Sequence, residues 1–483
     1  MEVKEQLVER LPPIIDIGPE RQLFLDEVLI EGMDRVSRCV HQPERHPDNP
    51  ILAAEHPWEC QRILYADVIH DPDEDQYGLW YSSYDQDAKE SVLLYARSDD
   101  GVHFERPELD LVEYEGSRRN NRLPTPAGFA HDKTVICDRR AEDPARRYKM
   151  VYYSVGGVGV AWSPDGLRWT AHDQNPVIRP TGDGSQCPFW DERLGRWVMY
   201  VRPDGRHTRR HWRNHGVPYD GSVFPTRRVG RSESLDFETW LHIDEVLTPD
   251  QRDGAGTEFY YMLVLPYQCG YVGFLNVYHE WTGDPAALDG ANYTLDTQLT
   301  FSRDGISWTR VCDRQLFLGC VPEAWDEKRI YVDEVIVQDG EILVYYRGSN
   351  IPHVGINQAV GTLHQGRLLQ GDALGLARLR PDGFVSVDAG AAEGSLTTRP
   401  LRFAGRDLSV NVDAARGSLQ VEAITLYGAP IPGLTRADCP VIDADSSNQP
   451  VAWTSGKTLD AVEQPIRLRF HLRDSRLYSF QIN

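Results

Sequence analysis

The sequence predicts an all-β protein, a five-bladed β-propeller followed by a C-terminal β-sandwich. Three observations carry this. A turn signature recurs: Ser98-Asp99-Asp100-Gly101-Val102-His103-Phe104, Ser163-Pro164-Asp165-Gly166-Leu167-Arg168-Trp169 and Ser302-Arg303-Asp304-Gly305-Ile306-Ser307-Trp308. A degenerate copy runs from Ser232 to Trp240, with Asp236-Phe237 in place of Asp-Gly, and a last one reads Arg380-Pro381-Asp382-Gly383-Phe384. Asp100, Asp165, Asp236, Asp304 and Asp382 stand 65, 71, 68 and 78 residues apart, a period that signals a repeat architecture. Second, each interval holds a pair of apolar strands joined by a polar turn. Third, after Asp388 the pattern changes to strands with alternating burial.

The turn itself has a physical reading. Gly supplies φ > 0, Asp bonds its own backbone, and the following aromatic pins the returning strand. The strand pairs are Asp67–Asp71 with Tyr77–Tyr81, Thr134–Asp138 with Tyr148–Tyr153, Pro188–Asp191 with Trp197–Val201, Tyr260–Val264 with Val272–Tyr278, and Glu334–Asp339 with Ile342–Tyr346. Each unit thus reads as strand, turn, strand, loop, strand, Asp-Gly turn, strand. Four-stranded antiparallel sheets repeated radially make a propeller.

At 483 residues the chain can bury a large core and hold more than one domain. Charged residues are 26% and apolar ones 41%, as in ordinary globular proteins. With 51 basic against 73 acidic residues the formal charge is −22, which argues against nucleic acid and anionic membrane as partners. No run approaches the ~20 apolar residues of a membrane span, and the first residues lack an apolar signal core, so a cytoplasmic location is expected. The eight cysteines form no Cys-x-x-Cys pair, and core thiols are the expectation.

In chain order, residues 1–21 are polar and read as an arm. Gln22–Ile30 reads as a strand lent to the last blade, closing the ring and covering its edge. The propeller domain is placed at 22–390. Within it, an insertion from Arg202 to Arg228 gathers Arg206, His207, Arg209, Arg210, His211, Arg213 and His215. A contact to an anionic substrate group, a solvated loop and an inter-subunit contact in a homo-oligomer are all open for it. Residues 391–483 read as the sandwich, with strands at Leu408–Val412, Leu419–Ala423, Ile466–Leu472 and Leu477–Ile482.

In a five-bladed ring the leading ends of the innermost strands converge on the axis. Read backward from the acidic turns, those ends offer Asp67, then His131 and Asp132, then Asp183 and Gln186, then Glu258 and Tyr260, then Asp333 and Glu334. Arg62, Tyr65, Tyr331 and His353 stand near them in sequence. Several carboxylates around one pocket suit glycoside cleavage, in which one carboxyl protonates the leaving oxygen and another serves as nucleophile or base. Trp58, Trp190 and Trp325 would stack on sugar faces. For any one Asp or Glu a turn or cap role is commoner, and Trp and Tyr more often fill propeller cores. No metal-ligand spacing is present, and no cofactor is implied.

With five units from Asp67 to Asp388 and the segment 391–483, the chain resembles the five-bladed glycoside hydrolases of families 32, 43, 68 and 130. It is most similar to family 32, the invertase, inulinase and levanase group. That family carries a Trp-Met-Asn-Asp-Pro-Asn-Gly nucleophile segment, an Arg-Asp-Pro stabiliser and a Glu-Cys acid, none of them intact here. The nearest counterparts are Leu25-Asp26-Glu27 or Asp67 for the first, His131-Asp132-Lys133 for the second, and Asp183 or Glu258 for the third. The resemblance implies a glycosidase acting on a small glycoside or oligosaccharide, with furanosides among the candidates. Asp67 is then the nucleophile or base, Asp132 the transition-state stabiliser and Glu258 the proton donor. A glycoside phosphorylase and a non-catalytic carbohydrate-binding propeller are the alternatives.

Overall fold

The computed structural model describes residues 13–85, 88–154, 156–179, 181–203, 227–253, 257–279, 294–338, 340–353, 361, 363–364 and 367–483. Among them the elements are β-strands and short 3-10 turns, without an α-helix. Among the described residues no helix is long and apolar enough to cross a membrane. The eight cysteines form no disulfide among the described residues.

All five predicted strand pairs are present. Three units are separate four-stranded sheets. The first runs Leu64–Asp71, Gln76–Asp85, Glu90–Ser98, Arg122–Leu123, and the second Phe129–Cys137, Tyr148–Ser154, Gly157–Ser163, Thr170–Ala171. The third runs Thr181–Asp191, Arg196–Pro203, Val229–Ser234, Asp244–Leu247. The fourth (Thr257–Tyr267, Gly270–His279, Thr294–Ser302) and the fifth (Arg329–Gln338, Glu341–Ser349, Ala373–Leu379) form one sheet, joined by the single parallel pair Leu295 with Arg329.

The turn signature has one hydrogen-bond pattern in four copies. Ser98 Oγ donates to Asp100 Oδ1 over 2.9 Å, while the N–H groups of Gly101 and Val102 donate to Ser98 Oγ (3.0 Å) and Asp100 Oδ1 (2.8 Å). The same bonds recur at Ser163/Asp165, Ser234/Asp236 and Ser302/Asp304. Gly101, Gly166 and Gly305 hold φ near 72°, and Phe237 takes the same left-handed place at 69°, so the degenerate copy keeps the geometry without its glycine. The last copy differs because no serine precedes it. The Asp382 carboxylate instead accepts from the Tyr267 hydroxyl (2.7 Å), Ser479 Oγ (2.6 Å) and Asn411 Nδ2 (3.2 Å).

These turns tie one unit to another. Trp80 of the first unit donates its indole N–H to the Gly166 carbonyl of the second (2.7 Å), Tyr200 of the third donates to Gly305 of the fourth (2.6 Å), and Tyr345 of the fifth donates to Gly101 of the first (2.9 Å). At the corresponding places, Val151 of the second unit packs in one cluster with Phe237 of the third, and the Phe274 ring of the fourth lies 6.0 Å from Phe384. The contacts therefore return to their starting point. The first strands of the units also neighbour one another in the same cyclic order.

The N-terminal strand is placed differently from expectation. Gln22–Leu23 pairs with Phe480 and Ser479 near the C-terminus, not with the last repeat unit. The edge of that unit is covered by Glu44–Arg45, paired with Arg378 and Ala377, and by a bridge from Leu52 to Leu374. The lent strand exists, about 20 residues later than proposed. Asp26, a counterpart suggested for the family 32 nucleophile, clamps Arg303 in the fourth unit's turn (2.7 and 3.0 Å).

Two six-stranded sheets complete the chain. One contains Ile466–Arg473, Gly394–Thr398, Ser418–Thr425 and Ile30–Asp34; the other contains Ser475–Ile482, Leu408–Asp413, Val385–Ala389 and Val36–Val40. Leu396, Leu468 and Phe470 from the first, with Val410, Leu477 and Phe480 from the second, belong to one fully buried core. Both chain ends thus feed these sheets.

The repeated turn makes a stability prediction. Burial pushes the Asp304 carboxyl up, but the N–H groups of Ser307 and Ile306 and the Ser302 hydroxyl outweigh it and hold it down, at about 2. Its folded value lies below the ordinary 3.8, so its contribution is present above about pH 4 and is lost as pH falls toward 2. Asp304→Ala is expected to destabilise by about 1 kcal/mol in urea unfolding at pH 7, with a smaller effect at pH 3. An equal effect at both pH values would refute the capping role.

Candidate active site

Every one of the five inner strands breaks register at the same end. The pairing skips between Leu64 and Asp67, His131 and Lys133, Thr181 and Gln186, Phe259 and Tyr261, and Val332 and Glu334. A bulge takes a residue out of the in–out alternation and re-aims its side chain. The skipped residues Tyr65, Asp132, Tyr260 and Asp333 all line one well. Tyr65 and Asp132 hold positive φ, 48° and 52°, a conformation Asp tolerates better than Tyr. Gly184 holds a positive φ, 44°, and lies against Asp132, where a Cβ would meet Oδ2.

One step deeper stand Asp67, Lys133, Gln186 and Tyr261, the first residues after four of the bulges. The well is narrow, with about 340 Å³ of empty space including its mouth. Asp67 and Lys133 are buried and paired, Nζ to Oδ2 at 2.5 Å. Oδ2 also accepts the Val135 N–H at 3.0 Å, whereas Oδ1 has no partner among the described residues. Burial pushes the Asp67 carboxyl up, to about 7, opposed first by the Lys133 ammonium; burial likewise pushes Lys133 down. The next group, Glu334, is raised to about 8 by burial and by the neighbouring Asp67 charge. Gln186 is buried with neither amide atom hydrogen-bonded among the described residues, two polar atoms that a ligand or water in the well would satisfy.

Asp333 is held differently. Arg347 grips both its oxygens, Nη2 to Oδ1 at 3.0 Å and Nε to Oδ2, and the Ala66 N–H adds a third bond to Oδ2. The Arg347 guanidinium lies between the Tyr65 and Tyr331 rings, 4.8 and 4.5 Å from their centroids. Its Nη1 has no partner among the described residues. Beside this pair, Asp372 bridges Arg62 (3.2 Å) and Arg329 (2.9 Å), which overcome burial to hold its carboxyl low.

Of the residues singled out from sequence, Asp67, Asp132, Gln186, Tyr260, Tyr331 and Asp333 line the well together, and Glu334 follows directly behind Asp333. Arg62 supports the wall through Asp372. His353 packs against Tyr260 and Tyr278, its ring centroid 5.0 and 5.4 Å from theirs. Burial, then Arg329 and Arg227, push its imidazole well below the ordinary value, so it is neutral. Glu258 is buried just before Tyr260, ion-paired to Arg227, and is not among the residues lining the well. His131 stacks on Tyr153 at 4.7 Å. The Asp183 side chain and the basic stretch Arg206–His215 lie outside the described residues.

Trp190 does not line the well. It sits four residues beyond Gln186, roughly 13 Å along the strand, with the Arg140 guanidinium 3.6 Å above its ring. Trp325 stacks on Tyr346 at 5.7 Å inside its unit. Trp58 is half-buried, stacked on His56 at 4.4 Å and bonded through its indole N–H to Asn121 (2.8 Å). Sequence reading passed over Lys133, Tyr261 and Arg347 as site residues. A lysine followed by Thr-Val-Ile at the head of an apolar strand was the available signal. Among the described residues no three His, Cys, Asp or Glu are grouped to hold a metal.

No family model matches the chain, and no curated protein does. Solved structures similar in chain path include a glycosyl hydrolase from Bacteroides ovatus (16% identity, 71% of this chain and 94% of that one, TM-score 0.46). A GH62 α-L-arabinofuranosidase catalytic domain from Coprinopsis cinerea covers 74% of this chain and 99% of its own at 12% identity and TM-score 0.41. A fructofuranosidase from Schwanniomyces occidentalis, complexed with fructosylnystose, covers 94% and 97% at 12% identity and TM-score 0.41.

The Asp333–Arg347 pair is buried on both sides, so removing one partner strands the other. Asp333→Asn is expected to destabilise the protein by about 3–5 kcal/mol, read as a fall in urea midpoint at pH 7. A change within experimental scatter would show that Arg347 is paired elsewhere.

Proposed function

We propose that the protein is a glycosidase that removes a terminal unit from a small glycoside or oligosaccharide, and that its well is the axial pocket of a five-bladed β-propeller. The cyclic inter-unit contacts and the converging bulges support the propeller reading. The strand pairings favour a propeller from Glu44 to Leu379, with residues 15–40 and 385–483 forming the β-sandwich. The chain then belongs among divergent relatives of family 32, and furanosides lead the list of substrates.

The observation that carries the catalytic reading is the asymmetric Asp67 carboxylate. Oδ2 is fixed by Lys133 and the Val135 N–H, while Oδ1 has no partner among the described residues. That suits a nucleophile or base, which needs one oriented, unshared oxygen. Asp132, held out by its bulge, is the transition-state stabiliser, and Gln186, Tyr260 and Tyr331 contact the sugar. Glu258 is the proton donor, and its Arg227 partner then has to move aside in the substrate complex. Phosphorolysis is the second reading, favoured by Arg347, a guanidinium lining the well whose Nη1 has no partner among the described residues; a requirement for inorganic phosphate would establish it.

The test is a screen of 4-nitrophenyl furanosides and pyranosides, with fructo- and arabino-oligosaccharides alongside. Asp67→Asn and Asp132→Asn are expected to lower kcat/KM by about 10²–10⁴-fold. Since Asp67 acts as a carboxylate, wild-type kcat/KM should climb as pH rises through about 7. Full activity in Asp67→Asn, Asp132→Asn and Glu258→Gln would overturn the assignment. Sugar binding without product across the panel would favour a carbohydrate-binding propeller.

A further inference from the structure

We propose that Lys133 is the positioning residue for Asp67, its ammonium fixing one carboxylate oxygen so that the other stands toward the well as the anionic acting atom. This rests on the glycosidase reading of the well. Lys133 belongs to the second unit, yet its three N–H groups are all spent on the first: on the Tyr65 carbonyl, on the Trp80 carbonyl (2.7 Å) and on Asp67 Oδ2 (2.5 Å). The bulge supplies this cradle, because Tyr65 and Ala66 are skipped between the ladder pairs Leu64–Ser82 and Asp67–Trp80, leaving the Tyr65 carbonyl to the lysine. With all three protons engaged, the ammonium has none to give a substrate. Its chemistry is confined to charge and orientation.

The neighbouring ion pair shows what a purely structural clamp looks like. Arg347 covers both oxygens of Asp333 and leaves no acceptor open. Lys133 covers one oxygen of Asp67, and the main chain of Val135 fastens that same oxygen from a second direction. Such a doubly held oxygen sets the carboxylate plane and leaves Oδ1 for other use.

Among the described residues the lysine is the one cation directly bonded to Asp67. The charged and titratable groups facing the pair are Asp132 from its own strand, Asp333 and Glu334 from the fifth inner strand, the Tyr261 phenol from the fourth and the Cys187 thiol from the third. Arg347 is bonded to Asp333. The carboxylates around Asp67 all favour its protonation, and burial does so most strongly. Without Lys133, nothing bonded to Asp67 but one N–H would oppose them.

The experiment follows Asp67 directly in the full chain, as the protonated-carboxyl infrared stretch that disappears in Asp67→Asn. In Lys133→Met, and in Lys133→Gln as the more conservative neutral variant, its midpoint should rise by about 1–3 pH units. Lys133→Arg, which keeps the charge, should shift it less. On whichever 4-nitrophenyl glycoside is turned over, the acidic limb of kcat/KM should move alkaline by the same amount, with little change in KM. A midpoint and limb unmoved in a folded neutral variant would overturn the role given to Lys133. If Asp67→Asn stayed fully active while the midpoint moved, the glycosidase reading of Asp67 would fail and the coupling would stand.

Discussion

Register breaks at the heads of five strands, four of which send a skipped side chain into one well, constrain the rest of this site. A regular ladder would alternate side chains above and below each sheet, and few would point at the centre. The register break at the head of each inner strand resolves this. It releases Tyr65, Asp132, Tyr260 and Asp333 from the alternation and turns them inward. The same break frees a main-chain carbonyl at Tyr65 that the adjacent unit uses to seat a lysine. Site geometry and backbone irregularity are therefore one feature.

Burying so much charge needs partners, and the molecule provides them in graded strength. Asp333 and Asp372 are covered on both oxygens by arginines and act as masonry. Asp67 is covered on one side only, and Gln186 not at all. Incomplete satisfaction is rare in a protein interior; in the well it falls on Gln186, and elsewhere on side chains such as Trp190, Arg314 and Ser409. The outer turns are the opposite case. Their serine and aspartate side chains are locally satisfied, and their glycine carbonyls at 101, 166 and 305 are capped by the aromatic residue of an adjacent unit.

The repeat was legible because its turns are chemical necessities: a left-handed residue needs Gly, and free N–H groups need Ser and Asp. Phe237 shows the limit of that rule, since a neighbouring aromatic cluster holds it where glycine was expected. Carboxylates at strand heads were legible for the same reason, being polar residues in otherwise apolar runs. Which atoms they present was not, because a bulge shifts facing by one residue without a fixed sequence mark. Trp190 lies outside the well on that account: its distance from the bulge, not its residue type, decides what it touches. Lys133 was passed over because its partners come from residues 65, 67 and 80, a contact that no local pattern records. Gln22–Leu23 was assigned to the wrong sheet since an isolated edge strand carries no information about its mate.

The mate of Gln22–Leu23 has a further meaning. It is Ser475–Ile482, the last strand of the chain, and Ile30–Asp34 and Val36–Val40 likewise lie beside strands that begin after residue 384. A ribosome has to make the strands beyond residue 384 before residues 22–40 can pair with them, so assembly order and synthesis order are opposed for these early strands.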